Sequence, residues 1–169
     1  VVHSEIMLPP HAPPSFSDRS TLWNSVEQTE KSNNSQLARE IELALPVELS
    51  REEQTRLVRE YCSSQFVSKG MCADFNIHDT GNGNPHAHIL LTMRPLDEKG
   101  TWAAKSKKEY VLDENGERVK LPSGRYKTRK VDLMDWNRQE NADLWRKAWA
   151  DLANDYLERS GSAERIDHR

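Results

Sequence analysis

The sequence predicts an α+β protein, an antiparallel β-sheet with amphipathic helices packed on one face. Three observations predict it. The segments "REIELALP", "CADFNIHD" and "HAHILLTMRPL" alternate apolar and polar residues with the period of a half-buried strand. Other segments repeat apolar residues at helical spacing. The cluster "TGNGNP" joins two of the strands by a turn too short for a parallel crossover. A chain of 169 residues suits one compact domain over residues 1–169, with residues 99–130 as a basic β-hairpin insertion.

Each element has its own signal. Residues 1–17 are Pro-rich and read as irregular. Asp18 is a candidate N-cap for a helix with Leu22, Trp23, Val26 and Thr29 on one face. After "KSNNSQ", Ile41, Leu43 and Leu45 alternate with Glu40, Glu42 and Ala44 in a strand that Pro46 ends. Ser50 and Glu53 fit a capping box opening a helix to about Gln65, with Leu57, Val58, Tyr61 and Cys62 as its stripe. Gly70 precedes the strand in which Ala73, Phe75 and Ile77 face one way and Asp74, Asn76 and His78 the other. In the next strand His86, His88, Leu90 and Thr92 share a face, and Ala87, Ile89, Leu91 and Met93 face the core. "YVLDENGERVKL" reads as a hairpin tipped by Asn115 and Gly116, with the basic flanks "KSKK" and "RYKTRK" outside it. A last helix is expected from Asp132 toward Arg159, with Trp145, Ala148, Trp149, Leu152 and Tyr156 as its stripe and Gly161 as its stop. No internal repeat is evident.

Composition narrows the function. Charged residues make up 30% and hydrophobic ones 36%, a soluble globular balance. No apolar run approaches the roughly 20 residues of a membrane span, and the N-terminus lacks the basic and apolar regions of a signal peptide. Two cysteines, Cys62 and Cys72, make no disulfide framework, so a bacterial-type reducing cytoplasm is expected. The chain starts with Val, as a fragment of a longer protein would. Net charge is −3, yet Lys99 to Lys130 holds ten Lys and Arg against four acids. That local balance of +6 leaves −9 on the remainder, the pattern of a nucleic-acid footprint on an acidic body.

The stretch "NIHDTGNGNPHAHILLT" holds three of the six histidines. His86 and His88 lie on one strand face, ~7 Å apart along the strand. A tight antiparallel turn lays His78 beside them. Three imidazoles on one exposed sheet face make a three-ligand metal site with open positions for a substrate. The plainer alternative is three polar residues on a wet sheet surface, and an H-x-H pair alone is weak. Glu40, Glu42 and Asp79 are carboxylates within reach of the same region.

"H-x6-PHAHILLTMR", together with "LWNSVEQTEKSNNSQLAREIELALPVEL" upstream and "DWNRQENADLWRKAWADLANDYLERSG" downstream, resembles the HUH endonuclease superfamily. It is most similar to conjugative DNA relaxases of the MobA/MobL (MobQ) family, over most of residues 4–161. The resemblance implies that His78, His86 and His88 hold a divalent metal, Mg²⁺ or Mn²⁺. It implies that Glu40 orients a ligand or accepts a proton, with Glu42 a weaker candidate. Arg39, Lys105, Lys107, Lys108, Arg125, Lys127, Arg129 and Lys130 would contact the DNA, with Tyr110 or Tyr126 offering a stacking surface. The implied activity is site- and strand-specific nicking at an origin of transfer through a 5′-phosphotyrosine link. The implied partners are single-stranded origin DNA and other relaxosome and transfer proteins, with no membrane. In the family the nucleophilic tyrosine stands on a helix upstream of the segment matching Ser4-Glu5-Ile6, after a first strand. The chain supplies neither, so it is expected to be N-terminally truncated and unable to form the covalent link.

Three other readings compete. A rolling-circle replication initiator shares the metal motif and the chemistry. A non-catalytic DNA-binding module would use the histidines for a structural metal. A histidine-triad nucleotide hydrolase resembles "HAHILL", but position 90 is Leu where that family needs His.

Overall fold

Four segments with strand periodicity build one antiparallel sheet. They are β1 (His3–Met7), β2 (Ala38–Ala44), β3 (Ala73–His78) and β4 (His86–Thr92), in the order β1-β3-β4-β2. The computed structural model describes residues 1–132 and 138–168. They divide into two units, Val1–Ala103 with Gln139–Arg169, and Ala104–Arg138.

The N-terminus departs from expectation. "HSEIM" is strand β1, in register with β3 from His3 opposite Ile77 to Met7 opposite Ala73. Its local composition is polar because it is an edge strand, and pairing with β3 decides the conformation. Glu5 is held on this strand by both Arg59 Nε and Nη2, at 2.8 and 2.7 Å.

Alternation then separates the two sheet faces. Phe75, Ile77, Ala87, Ile89 and Leu91 are fully buried. On this face lie α2 (Arg51–Gln65) and α3 (Gln139–Arg159). Ser50 opens α2 with the complete capping box, its hydroxyl accepting from Glu53 N while the Glu53 carboxylate accepts from Ser50 N. The aromatic centre is edge-to-face throughout: Tyr61 meets Phe66 and Trp149, and Phe66 meets Trp145, all at 5.2–5.4 Å. The buried stripe of α3 runs Trp145, Trp149, Ala153, Leu157. Leu152 and Tyr156, expected on it, are only half-buried, because spacing by four carries the contact line one position past each of them. The helix expected from Asp132 begins instead at Gln139, because Asp132 is drawn into a strand by its pairing with Ser106; Trp136 falls in 133–137, outside the described residues.

The other face carries a layer of its own at the Asp74 end. Helix α1 (Arg19–Thr29), N-capped by Asp18, packs Leu22 with Phe16, Cys72 and Leu96. Trp102 stacks on Phe16 at 5.6 Å and donates its indole N–H to Ser25 Oγ. Asp74, 1% exposed, is enclosed here, accepting from Arg19 Nε and Nη2 and from Trp23 Nε1 at 2.7–2.9 Å.

In the second unit the basic flanks are themselves the strands, β5 (Ser106–Tyr110) and β6 (Thr128–Asp132). The expected hairpin arms pair by one bridge, Leu112 with Arg118, and the second arm then turns to Tyr126 through Lys120. The reason is a second turn: Gly116 N donates to Asp113 O, and Gly124 N donates to Leu121 O, giving two small hairpins on one stem.

Candidate metal centre

The histidines come together through strand register. His78, last in β3, lies directly opposite His86, first in β4, and His88 lies opposite Asn76. Opposite residues in an antiparallel ladder point to one face, so period two brings all three imidazoles to the side away from α2 and α3. The three are half-buried, and the His78 and His88 rings meet edge-on at 4.7 Å. His78 is held below the ordinary imidazole range, first by desolvation and then by the neighbouring His88.

On the other flank of β4, strand β2 contributes two carboxylates. Glu42 lies opposite His88 and Ala44 opposite His86, but the contacts run diagonally. Glu40 Oε1 is 3.4 Å from His88 Nδ1, and Glu42 Oε1 is 4.0 Å from His86 Nε2. With these rotamers two imidazoles turn toward carboxylates. Among the described residues no group of three or more His, Cys, Asp or Glu side chains is gathered as a ligand set. Asp79 is engaged elsewhere, paired with Arg51 and accepting from Gly81 N.

The remaining site candidates fall in three places. Arg39 alternates with Glu40 onto the opposite sheet face, where its guanidinium lies 5.7 Å from the Trp145 ring. Tyr61 is buried with its hydroxyl donated to Trp145 O, and Tyr156 donates to Glu60. Lys105, Lys107, Lys108, Arg125, Lys127, Arg129 and Lys130 all belong to the second unit. There Glu109 pairs with Lys107 at 3.1 Å and Arg129 at 3.3 Å, which holds its carboxyl below the usual range. Lys108 and Lys130 are exposed cross-strand partners. Sequence reasoning passed over Arg118, whose contact with two tyrosines depends on turn geometry rather than on any motif.

The sequence matches the MobA/MobL family over residues 1–169. The chain belongs to the MobA/MobL family. Among curated members, the conjugal transfer protein TraA of Rhizobium radiobacter is 35% identical over 100% of this chain and 16% of its own length. The probable mobilization protein MobA of Bifidobacterium longum is 37% identical over 96% of this chain and 31% of its own. This MobA/MobL chain thus spans under a third of either relative. A solved structure described as the molecular basis of vancomycin resistance transfer in Staphylococcus aureus superposes with a TM-score of 0.79 at 35% identity. That match covers 99% of this chain and 75% of the other, and agrees with the α+β antiparallel architecture. Among the described residues no helix is long and apolar enough to cross a membrane.

Proposed function

We propose that this chain is the metal-binding and DNA-positioning part of a relaxase that nicks and transfers one strand at a plasmid origin during conjugation. The observation that carries the reading is the cross-strand register of His78, His86 and His88 on one sheet face in a MobA/MobL member. Their donor chemistry fits a divalent ion: three neutral imidazoles leave its charge undiluted. Mg²⁺ or Mn²⁺ held there would supply charge to polarise the scissile phosphate. The 3.4 Å approach of Glu40 Oε1 to His88 Nδ1 supports a positioning role: an Nδ1–H donated to the carboxylate would hold the tautomer that leaves Nε2 to ligate.

In the reaction a tyrosyl oxygen bonds to phosphorus as the bond to the 3′-oxygen breaks. The tyrosyl proton passes to a base, and the departing 3′-oxygen takes up a proton to become a free hydroxyl. Neither Tyr61 nor Tyr156 is assigned the attack, since both hydroxyls are engaged at the α2 and α3 helices. The basic second unit supports strand binding. Lys108 and Lys130 stand directly opposite each other, a repulsive pair unless an anion lies between them.

Calorimetric titration of the chain with Mn²⁺ tests the metal. One site per chain is expected, weakened about tenfold or more in H86A, H88A or H78A, and undiminished binding in all three would sink the reading. With single-stranded origin oligonucleotide and Mn²⁺ the 169-residue chain should bind the strand and leave no covalent adduct on a denaturing gel. A tyrosyl adduct mapped to Tyr61 or Tyr156 would overturn their exclusion.

A further inference from the structure

The second unit contains an eight-residue repeat that binary patterning hides. "YVLDENGE" (110–117) is followed by "RVKLPSGR" (118–125), and Tyr126 stands at the next eight-residue interval. The backbone repeats with it. Asp113 N donates to Glu117 O as Leu121 N does to Arg125 O, and each turn has its glycine at positive φ, Gly116 at 79° and Gly124 at 85°. Val111, Val119 and Lys127, at the same eight-residue interval, close a ring: Val111 N donates to Lys127 O, Lys127 N to Val119 O, and Val119 N to Val111 O. The stem and the two small hairpins therefore meet at a three-way junction.

The residue just before each ring member is Tyr110, Arg118 and Tyr126, and the repeat delivers all three to one side of it. The Arg118 guanidinium carbon lies 3.9 Å from the Tyr110 ring centroid and 5.5 Å from that of Tyr126. The two rings stand edge-on at 5.9 Å. All three side chains are exposed, Tyr110 at 48% and Tyr126 at 43%, beside exposed Leu112 and Leu121. A guanidinium lying on one tyrosine leaves its second face and its in-plane N–H groups for a ligand. Lys120, 5.7 Å from the Tyr126 ring, and Arg125 and Lys127 keep the surroundings positive.

We propose that the Tyr110–Arg118–Tyr126 face is a preformed stacking site for an unpaired base of single-stranded DNA. The base lies on the open face of Arg118, and the neighbouring cations meet the flanking phosphates. An unpaired base is the occupant that matches both parts, a flat π-surface for the guanidinium and anionic charge for the lysines. The inference rests on the DNA-binding reading above and adds to it a residue that acts by planarity rather than charge.

Fluorescence anisotropy separates the two. The probes are a labelled oligothymidylate and a strand of equal length whose central nucleotides are abasic, so that phosphate number is constant. The chain should prefer the strand with bases by about tenfold. Arg118→Lys keeps the charge and should lose that preference, with unchanged affinity for the abasic strand and an unchanged dependence on salt. Tyr110→Phe should keep the preference, since the ring is retained. Equal binding of both strands by the wild-type chain, or a preference that survives Arg118→Lys, overturns the stacking site alone. Failure to bind either strand overturns the DNA-binding reading with it.

Discussion

Asp74 is a carboxylate with almost no solvent contact, yet three donors from α1 surround it. In sequence it is one of three polar residues on the outer face of a strand, and alternation places it there correctly. That this end of the face is enclosed follows from Leu22 and Trp23 packing over it, which no local pattern announces. Asp74→Ala leaves the Trp23 indole N–H without its acceptor and separates Arg19 from its partner. The expected loss is about 1–3 kcal/mol by urea unfolding, and a loss below about 0.5 kcal/mol would mean that solvent replaces the carboxylate without cost. Cys62 and Cys72, both buried, have thiols pushed up to about 12, and this suits packing rather than reactivity.

Helix α2 has its start written in four residues. Ser50 and Glu53 satisfy each other's backbone N–H groups, so Ser50→Ala should cost about 1 kcal/mol in thermal or urea unfolding. Equal stability would show that water replaces the cap. Strand β1 is the opposite case. "HSEIM" has no clean alternation, and its strand state comes from the register with β3 and the Glu5–Arg59 pair. The second small hairpin of the second unit, around Gly124, is illegible in the sequence for a related reason. Asn115-Gly116 is a strong turn signal, but the eight-residue repeat around it is short and only the two glycines and two valines recur plainly. It becomes visible through its hydrogen bonds.

Across the molecule several carboxylates sit below their ordinary pKa for the same reason, donors aimed at the charged form. Arg59 does this to Glu5, Thr21 to Asp18, Ser50 to Glu53 and Thr101 to Asp97. A folded pKa below the unfolded one favours the folded state above the ordinary carboxylate range and is lost as pH falls through the lowered values. Melting temperature should therefore fall mainly below about pH 4. His78, also held low, adds a shallow earlier decline through the imidazole range. A melting temperature that rises on acidification would contradict both. By itself the sequence determined the β2–β4 strands, the Asp18 N-cap, the Ser50–Glu53 capping box and the identity of the three histidines, because periodicity, turn residues and short-range caps are local. It also placed His86 and His88 on one face of their strand, since a period of two admits no other arrangement, while the short turn between the strands sets the register that lays His78 opposite His86. Only the tertiary structure decided that β1 joins the sheet, that α1 encloses Asp74, and that Glu40 rather than Asp79 stands beside a histidine. Each of those depends on which distant segments pack together, and that is set by the total burial of the fold rather than by any short stretch of chain.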